Sequence, residues 1–267
     1  MKLYELKEKC FKYKNLKDEK SWFARYYVYH VSIRLTWLLL KTNITANQVT
    51  IIGILIGVLG AISIAYGTLT SALVGTILLQ IGFILDGVDG QIARYNGQSS
   101  VQGVYLDILN HRILNPLMPL SMGLMVFMNT DNFPLLLLTI VGAIAATNIA
   151  TTTMHFIIQD LLTAGDRKFY NIDNLRKGGW YGDRQKSKSM RFIKVFIFYP
   201  GNMNFTCFFS IFFFSYPTIA IWLLVSFCLS VIGIQGLMIV QWHRKNTVEE
   251  MVETTLSKIL KTYGNKK

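Results

Sequence analysis

The sequence predicts an all-α, polytopic membrane protein in which six transmembrane helices surround a polar cavity that faces the cytoplasm. Of the 267 residues, 52% are hydrophobic. Apolar stretches close to the ~20 residues that a helix needs to cross a bilayer recur along the chain. Ionisable side chains gather near one end of these stretches, and only helices satisfy their backbone groups within a single spanning segment. The stretches are residues 48–66, 69–88, 104–128, 134–158, 192–215 and 217–241.

The first 41 residues precede the first apolar stretch and form a unit of their own. Residues 1–20 are polar and rich in lysine, which predicts a solvated helix or tail and not a secretory signal. Residues 21–41 carry aromatic and apolar side chains at helical spacing, with Arg25 and Arg34 between them. This pattern is typical of an amphipathic helix that lies in the membrane interface.

The first predicted span opens with the polar segment TNITANQVT, residues 42–50. Asn47 and Thr50 are three residues apart at its start. Short polar side chains in this position cap the free amide groups of a helix. They can also contact a ligand, and the two interpretations do not exclude each other.

The second and third predicted spans bring acidic side chains to the same end of the bundle. Asp86 and Asp89 are three residues apart, and Asp107 and His111 are four apart, so each pair shares a helical face. Carboxylates that converge in a narrow gap at a membrane surface need cations, and oxygen ligands suit Mg²⁺ or Mn²⁺. The pattern therefore predicts a metal site able to hold a diphosphate, with Asp86, Asp89 and Asp107 as its ligands.

Small residues and one arginine accompany these acids. The small side chains at Gly90, Ala93 and Gly103 leave space on the helix faces that carry the acids. The glycine at position 103 also predicts a close crossing of the second and third spans. The planar guanidinium of Arg94 suits either neutralisation of a phosphate or pairing with a carboxylate.

The fourth and fifth spans are joined by a long basic connection, residues 160–191. It is interpreted either as a solvated loop that sets the topology or as a segment that captures an anionic substrate group, with Lys186, Lys188 and Arg191 as candidates. The six spans then form a transmembrane domain over residues 42–242, and residues 243–267 form an amphipathic tail.

The net charge of +12 is distributed unevenly. Lys and Arg residues fall in the first 41 residues, from Arg94 to Arg112, from Arg167 to Lys194 and from Arg244 onward, whereas the alternate connections between spans have none. The positive-inside rule then places both termini and the acidic site at the cytoplasmic face of the cell membrane. This placement argues against nucleic acid as a partner. The three cysteines have no paired spacing, which argues against a zinc site or a disulfide.

The run from Asp86 to His111 also resembles the signature of the CDP-alcohol phosphotransferase family, D-x2-D-G-x2-A-R-x8-G-x3-D-x3-D. The eighth fixed position, an aspartate in the family, is His111 here. The other fixed positions match in identity and spacing: Asp86, Asp89, Gly90, Ala93, Arg94, Gly103 and Asp107.

The resemblance implies a metal-dependent enzyme of phospholipid or lipid-linked phosphodiester biosynthesis. Such an enzyme transfers a substituted phosphate group from a CDP-linked donor to an alcohol acceptor and releases CMP. Either the donor or the acceptor is a lipid, and a homodimer is expected. The resemblance assigns nucleotide contacts to Asn47, Thr50, Asp86, Gly90, Ala93, Arg94 and Gly103.

Asp107 and His111 are the candidate catalytic residues, and several roles are open for His111. In the family the fourth aspartate serves as a general base or as a further metal ligand. A neutral imidazole can accept a proton or bind a metal. The alternatives are an altered reaction, such as hydrolysis or a covalent phosphohistidine route, a catalytically silent nucleotide-binding protein, or a transporter. A transporter is disfavoured because the charges gather at one end of the bundle and not near the midplane.

Overall fold

A computed structural model describes residues 3–11, 27–97, 101–147 and 201–244. The regular structure in these ranges is helical, which confirms the predicted all-α class. The helices are α1 (Leu3–Phe11), α2 (Tyr29–Leu39), α3 (Ala46–Ala65), α4 (Leu69–Asn96), α5 (Val101–Thr130), α6 (Phe133–Thr147), α7 (Gly201–Ser215) and α8 (Pro217–Arg244).

Four of these helices are long and apolar enough to cross a bilayer: α3, α4, most of α5 and most of α8. The chain is therefore an integral, multi-pass membrane protein. Helix α6 is apolar but shorter, and α7 has 15 residues. The predicted fourth and fifth spans extend beyond these two helices into residues 148–200, which lie outside the described ranges. The count of six spans therefore stays a prediction.

Local signals in the sequence set the ends of α3 and α4. The Thr45 hydroxyl accepts a hydrogen bond from the Gln48 backbone N–H, and the Gln48 side chain accepts one from the Thr45 backbone N–H. This reciprocal capping box starts α3 at Ala46. The cap of this helix is therefore Thr45, and the capping interpretation of Asn47 and Thr50 is wrong. Helix α4 ends at Gly97, whose φ of 65° lies in the left-handed region that glycine adopts without steric cost.

Helix α3 packs against the two helices that carry the acidic residues. It packs along both α4 and α5, whereas α4 and α5 make few contacts with each other over their described lengths. Glycines allow the close approach of α3 and α4, because a Cβ at Gly75 would lie 2.6 Å from the backbone oxygen of Gly60. The close crossing predicted for the second and third spans at Gly103 is therefore wrong: it occurs between α3 and α4. The space left between α4 and α5 is termed the α4–α5 gap.

Helix α7 packs against both sides of this gap through polar contacts. Interhelical hydrogen bonds of this kind contribute about 1 kcal/mol each inside a bilayer. They hold α4 and α5 at a fixed separation. The contacts are Thr76 with Ser210 at 3.2 Å, Gln80 with Asn204 at 3.2 Å, and Asn115 with Asn202 at 2.9 Å.

Helices α1 and α2 pack against the C-terminal half of α4. The Gln91 side chain of α4 is fully buried, donates to the Ser32 hydroxyl and accepts from the Thr36 hydroxyl, both at 2.7 Å. In α1, Leu6 and Cys10 are fully buried. The predicted helical lead is confirmed for residues 3–11, but the prediction that it is solvated is wrong on this face. Helix α2 lies within the stretch predicted as an interfacial helix.

Several predicted features fall outside the described ranges. The basic connection, with its candidates Lys186, Lys188 and Arg191, lies there, as does the amphipathic tail beyond Arg244. Helix α8 continues two residues into the segment assigned to that tail.

Candidate active site

Asp89 is fixed by contacts from two helices. Its Oδ2 accepts a hydrogen bond from the Thr50 hydroxyl at 2.5 Å, and its Oδ1 accepts one from the Gly90 backbone N–H. Thr50 is only 5% exposed, so water competes little for this contact. Asn47 lies about one turn earlier on α3 and is half-buried. Of the predicted pair, Thr50 is thus hydrogen-bonded to an acid of α4.

Asp86 reaches across the α4–α5 gap. Its Oδ1 accepts a hydrogen bond of 2.9 Å from the side-chain amide of Asn110 on α5. Asn110 is buried, and its own Oδ1 has no hydrogen-bond partner among the described residues. Asn110 was not among the predicted site residues. The available signal was its place three residues after Asp107, on the same part of the helix.

Asp107 and His111 stand on the α5 side of the gap. The Nε2 atom of His111 lies 3.6 Å from Oδ1 of Asp107, as their four-residue spacing predicts. One ligand atom from each of Asp86, Asp107 and His111 lies within 4.8 Å of the others. The side chain of Asp107 is 59% exposed and that of His111 is 32% exposed, so the group opens to solvent at Asp107.

The donor atoms of this group fit a divalent cation. Two carboxylates and an imidazole converge from two helices, and Mg²⁺ is commonly held by one or two carboxylates together with substrate phosphates. Asp89 is not part of this group, although the negative charges of Asp86 and Asp107 act on it through space. Its role as a metal ligand stays a prediction. The accumulated negative charge is a physical reason for a cation to bind here.

Arg94 lies directly over Gly90. A Cβ at Gly90 would be 3.1 Å from Nη1 of Arg94, so glycine leaves the space that the guanidinium group uses. Nε of Arg94 donates a hydrogen bond of 3.0 Å to the backbone oxygen of Cys10 in α1. Ala93 is half-buried on the same helix, and Gly103 is half-buried near the start of α5, four residues before Asp107.

A comparison with known protein families identifies the family of the chain. Residues 43–200, more than half of the chain, match the family model for CDP-alcohol phosphatidyltransferase. The chain belongs to the CDP-alcohol phosphatidyltransferase family. Members of this family transfer a phosphate group from a CDP-alcohol. The matched stretch includes α3, α4 and α5, which carry every described candidate residue.

Two curated relatives match a shorter part of the chain. A bifunctional IPC transferase and DIPP synthase from Thermococcus kodakarensis is 35% identical over 85 residues, covering 32% of this chain and 18% of the relative. The protein of the same name from Aquifex aeolicus is 36% identical over 85 residues, covering 32% of this chain and 19% of the relative. The aligned segment thus spans about a fifth of each relative.

Proposed function

We propose that this enzyme transfers a substituted phosphate group from a CDP-linked donor to an alcohol acceptor, releases CMP, and depends on Mg²⁺ or Mn²⁺. One observation carries the proposal: Asp86, Asp107 and His111 converge within 4.8 Å across the α4–α5 gap. A charged diphosphate cannot approach two carboxylates without a cation between them, because like charges at this distance repel strongly.

The metal would be held by Asp86 and Asp107, with Asp89 as a further ligand. Two carboxylates leave room for phosphate oxygens, which is the usual coordination of Mg²⁺ at a phosphate. A cation bound there supplies charge neutralisation of the diphosphate and stabilises the departing CMP.

The residues around the acids hold the nucleotide end of the donor. Arg94 offers a planar array of N–H donors that matches phosphate oxygens. Thr50 keeps the Asp89 carboxylate in one orientation through their 2.5 Å hydrogen bond. Asn47, about one turn before Thr50 on α3, is proposed as a further nucleotide contact, and Gly90 leaves space for the Arg94 guanidinium group.

His111 acts as the general base in this scheme. Its imidazole takes the proton of the acceptor hydroxyl, and the resulting oxygen attacks the outer phosphorus of the donor. The bond between that phosphorus and the bridging oxygen breaks, and the electron pair leaves with CMP. Asp107, 3.6 Å from Nε2, stabilises the imidazolium that forms.

The proposed topology of the enzyme in the membrane is the one that the sequence predicts. Six spans form the catalytic domain, both termini and the acidic site face the cytoplasm, and two copies of the chain associate as a homodimer. One substrate is a lipid, either as CDP-diacylglycerol donating to a polar alcohol or as a lipid alcohol accepting a headgroup from CDP. Lys186, Lys188 and Arg191 are proposed to attract an anionic group of the lipid or of the other substrate.

A second candidate function is a catalytically silent protein that binds CDP-linked nucleotides. Only His111 favours it, because the family has an aspartate at this position.

The test is CMP release by the purified protein in lipid, with Mg²⁺ or Mn²⁺, CDP-linked donors and a panel of alcohols. Asp107→Asn and His111→Ala serve as variants, and Lys7→Gln, an exposed position on α1, serves as the control. The proposal expects CMP release that needs both metal and acceptor, and that both site variants abolish. Release without an acceptor would indicate hydrolysis. Metal-dependent binding of CDP without turnover would favour the silent protein, and neither binding nor release would refute the proposal.

A further inference from the structure

Helix α1 is docked on the end of the helix that carries the signature. Leu6 and Cys10 are fully buried and form one apolar cluster with Ile33 of α2. The Lys9 ammonium group lies 4.2 Å from the centre of the Tyr95 ring of α4, within the range of a cation–π contact. A short polar helix needs such a tertiary contact to be stable, because nine residues are too few for an isolated helix in water.

The docked helix presents its own backbone to a signature residue. Cys10 lies in the last turn of α1, where carbonyl groups have no partner within the helix and carry the negative end of its dipole. Its carbonyl oxygen accepts a hydrogen bond of 3.0 Å from Nε of Arg94. The Cys10 thiol makes a second contact of 3.4 Å to the backbone oxygen of Gln91, one turn before Arg94.

This contact fixes the direction of the guanidinium group. Because α1 holds the Nε side of Arg94, the Nη atoms lie over Gly90, with Nη1 3.1 Å from the point where a Cβ would stand. The Gly90 backbone N–H in turn donates to Asp89. Arg94 is thus oriented along the signature face of α4 by a helix that lies outside the matched family region, residues 43–200.

We propose that α1 is a positioning element for donor binding: its C-terminal carbonyl group holds Arg94 so that the Nη atoms meet a phosphate of the CDP-linked donor. The inference rests on the proposed function, in which Arg94 contacts that phosphate. It goes further, because it makes the affinity for the donor depend on whether α1 is docked. A helix that only stabilised the fold would lower the amount of active protein and leave the KM for the donor unchanged.

The test undocks α1 in the full-length protein. Leu6→Asp puts a carboxylate into a fully buried apolar position, which the docked state cannot accommodate without a large cost. Tyr4→Asp is the matched control, because it adds the same charge to the same helix at a side chain that is 72% exposed.

Maleimide labelling of Cys10 reports docking independently of catalysis. Burial raises the pKa of the Cys10 thiol and shields it from reagents, so the parent and Tyr4→Asp are expected to react slowly. Leu6→Asp is expected to react quickly. A parent protein that labels as fast as Leu6→Asp would overturn the docked helix and the inference with it.

Donor affinity is then measured in a double-mutant cycle. Undocking is expected to raise the KM for the CDP-linked donor about ten-fold with little change in kcat, the size of one charge-assisted hydrogen bond. In an Arg94→Lys background, which lacks the Nε donor, Leu6→Asp should cause less than about a two-fold further rise. If Leu6→Asp labels quickly at Cys10 but keeps the parental KM for the donor, the inference is overturned. A ten-fold rise in KM that Leu6→Asp still causes in the Arg94→Lys background would also overturn it.

Failure of the proposed function has a different signature. If the parent releases no CMP with any donor, the proposed transfer is wrong, and the same cycle is run on the equilibrium affinity for CDP. Non-additive losses of CDP affinity in Leu6→Asp and Arg94→Lys would still support positioning by α1, and additive losses would overturn it.

Discussion

The hydrogen bond between Thr50 and Asp89 can be removed with almost no change in shape. Thr50→Val replaces the hydroxyl by a methyl group and leaves the Asp89 carboxylate without its contact from α3. The hydrogen bond is 2.5 Å long and its acceptor is a carboxylate. Its donor, Thr50, is only 5% exposed to solvent. A hydrogen bond to a charged group contributes about 1.5–3 kcal/mol.

At about 1.4 kcal/mol per factor of ten, that energy corresponds to a loss of roughly 10- to 150-fold in kcat/KM for CMP release. The physical reason is that Asp89 must hold one orientation while two other carboxylates repel it. The assay is initial-rate CMP release over a series of Mg²⁺ concentrations, so that weaker metal binding and slower turnover can be separated.

Thr50→Ser is the matched control, because it keeps the hydroxyl group that Asp89 accepts from. It is expected to stay within about three-fold of the parent, since only a methyl group is lost. If Thr50→Val were as active as Thr50→Ser at every metal concentration, the hydrogen bond would have no part in the site and the reasoning would be refuted.

Three further perturbations test other parts of the structure. His111→Asp, which restores the residue usual in the family, should retain metal-dependent CMP release. His111→Ala should lower the rate of CMP release about 100-fold or more. Equal rates for the two variants would contradict a role for a proton acceptor at this position. Asn110→Leu removes the 2.9 Å hydrogen bond that orients Asp86 and should raise the Mg²⁺ concentration for half-maximal rate about ten-fold, while an unchanged requirement would show that Asp86 needs no such support. Gly75→Ala places a Cβ 2.6 Å from a backbone oxygen of α3 and should destabilise the protein by about 1–3 kcal/mol, measured as a lower Tm in lipid. Gly236→Ala is the control, because no atom lies within 4 Å of its Cβ. Equal Tm values for the two variants would argue against the close crossing of α3 and α4.

The acidic site was predictable from the sequence where its geometry is local. Asp107 and His111 lie four residues apart on one helix, and the observed 3.6 Å contact follows from helical periodicity alone. The apolar lengths of α3, α4 and α5 likewise identified membrane spans without any knowledge of their packing.

Residues that act between helices were harder to foresee. Asn110 contacts Asp86 across 24 residues of sequence, and no local pattern says which face of α5 meets which face of α4. The Gly103 prediction was wrong for the same reason, because a glycine allows a close approach but does not choose the partner helix. That choice depends on how all the helices pack together.

The sequence by itself determined the helical class, the multi-pass membrane character, the family and the acids of the candidate site, since hydropathy and spacing act over a few turns of one helix. Only the tertiary structure decided that α3 packs against both α4 and α5, that Thr50 donates a hydrogen bond to Asp89, and that Arg94 donates one to the Cys10 carbonyl group of α1. These contacts join residues 39 and 84 positions apart in the chain. Their energies depend on burial and on the direction of single donor and acceptor atoms, which become defined only when the helices pack.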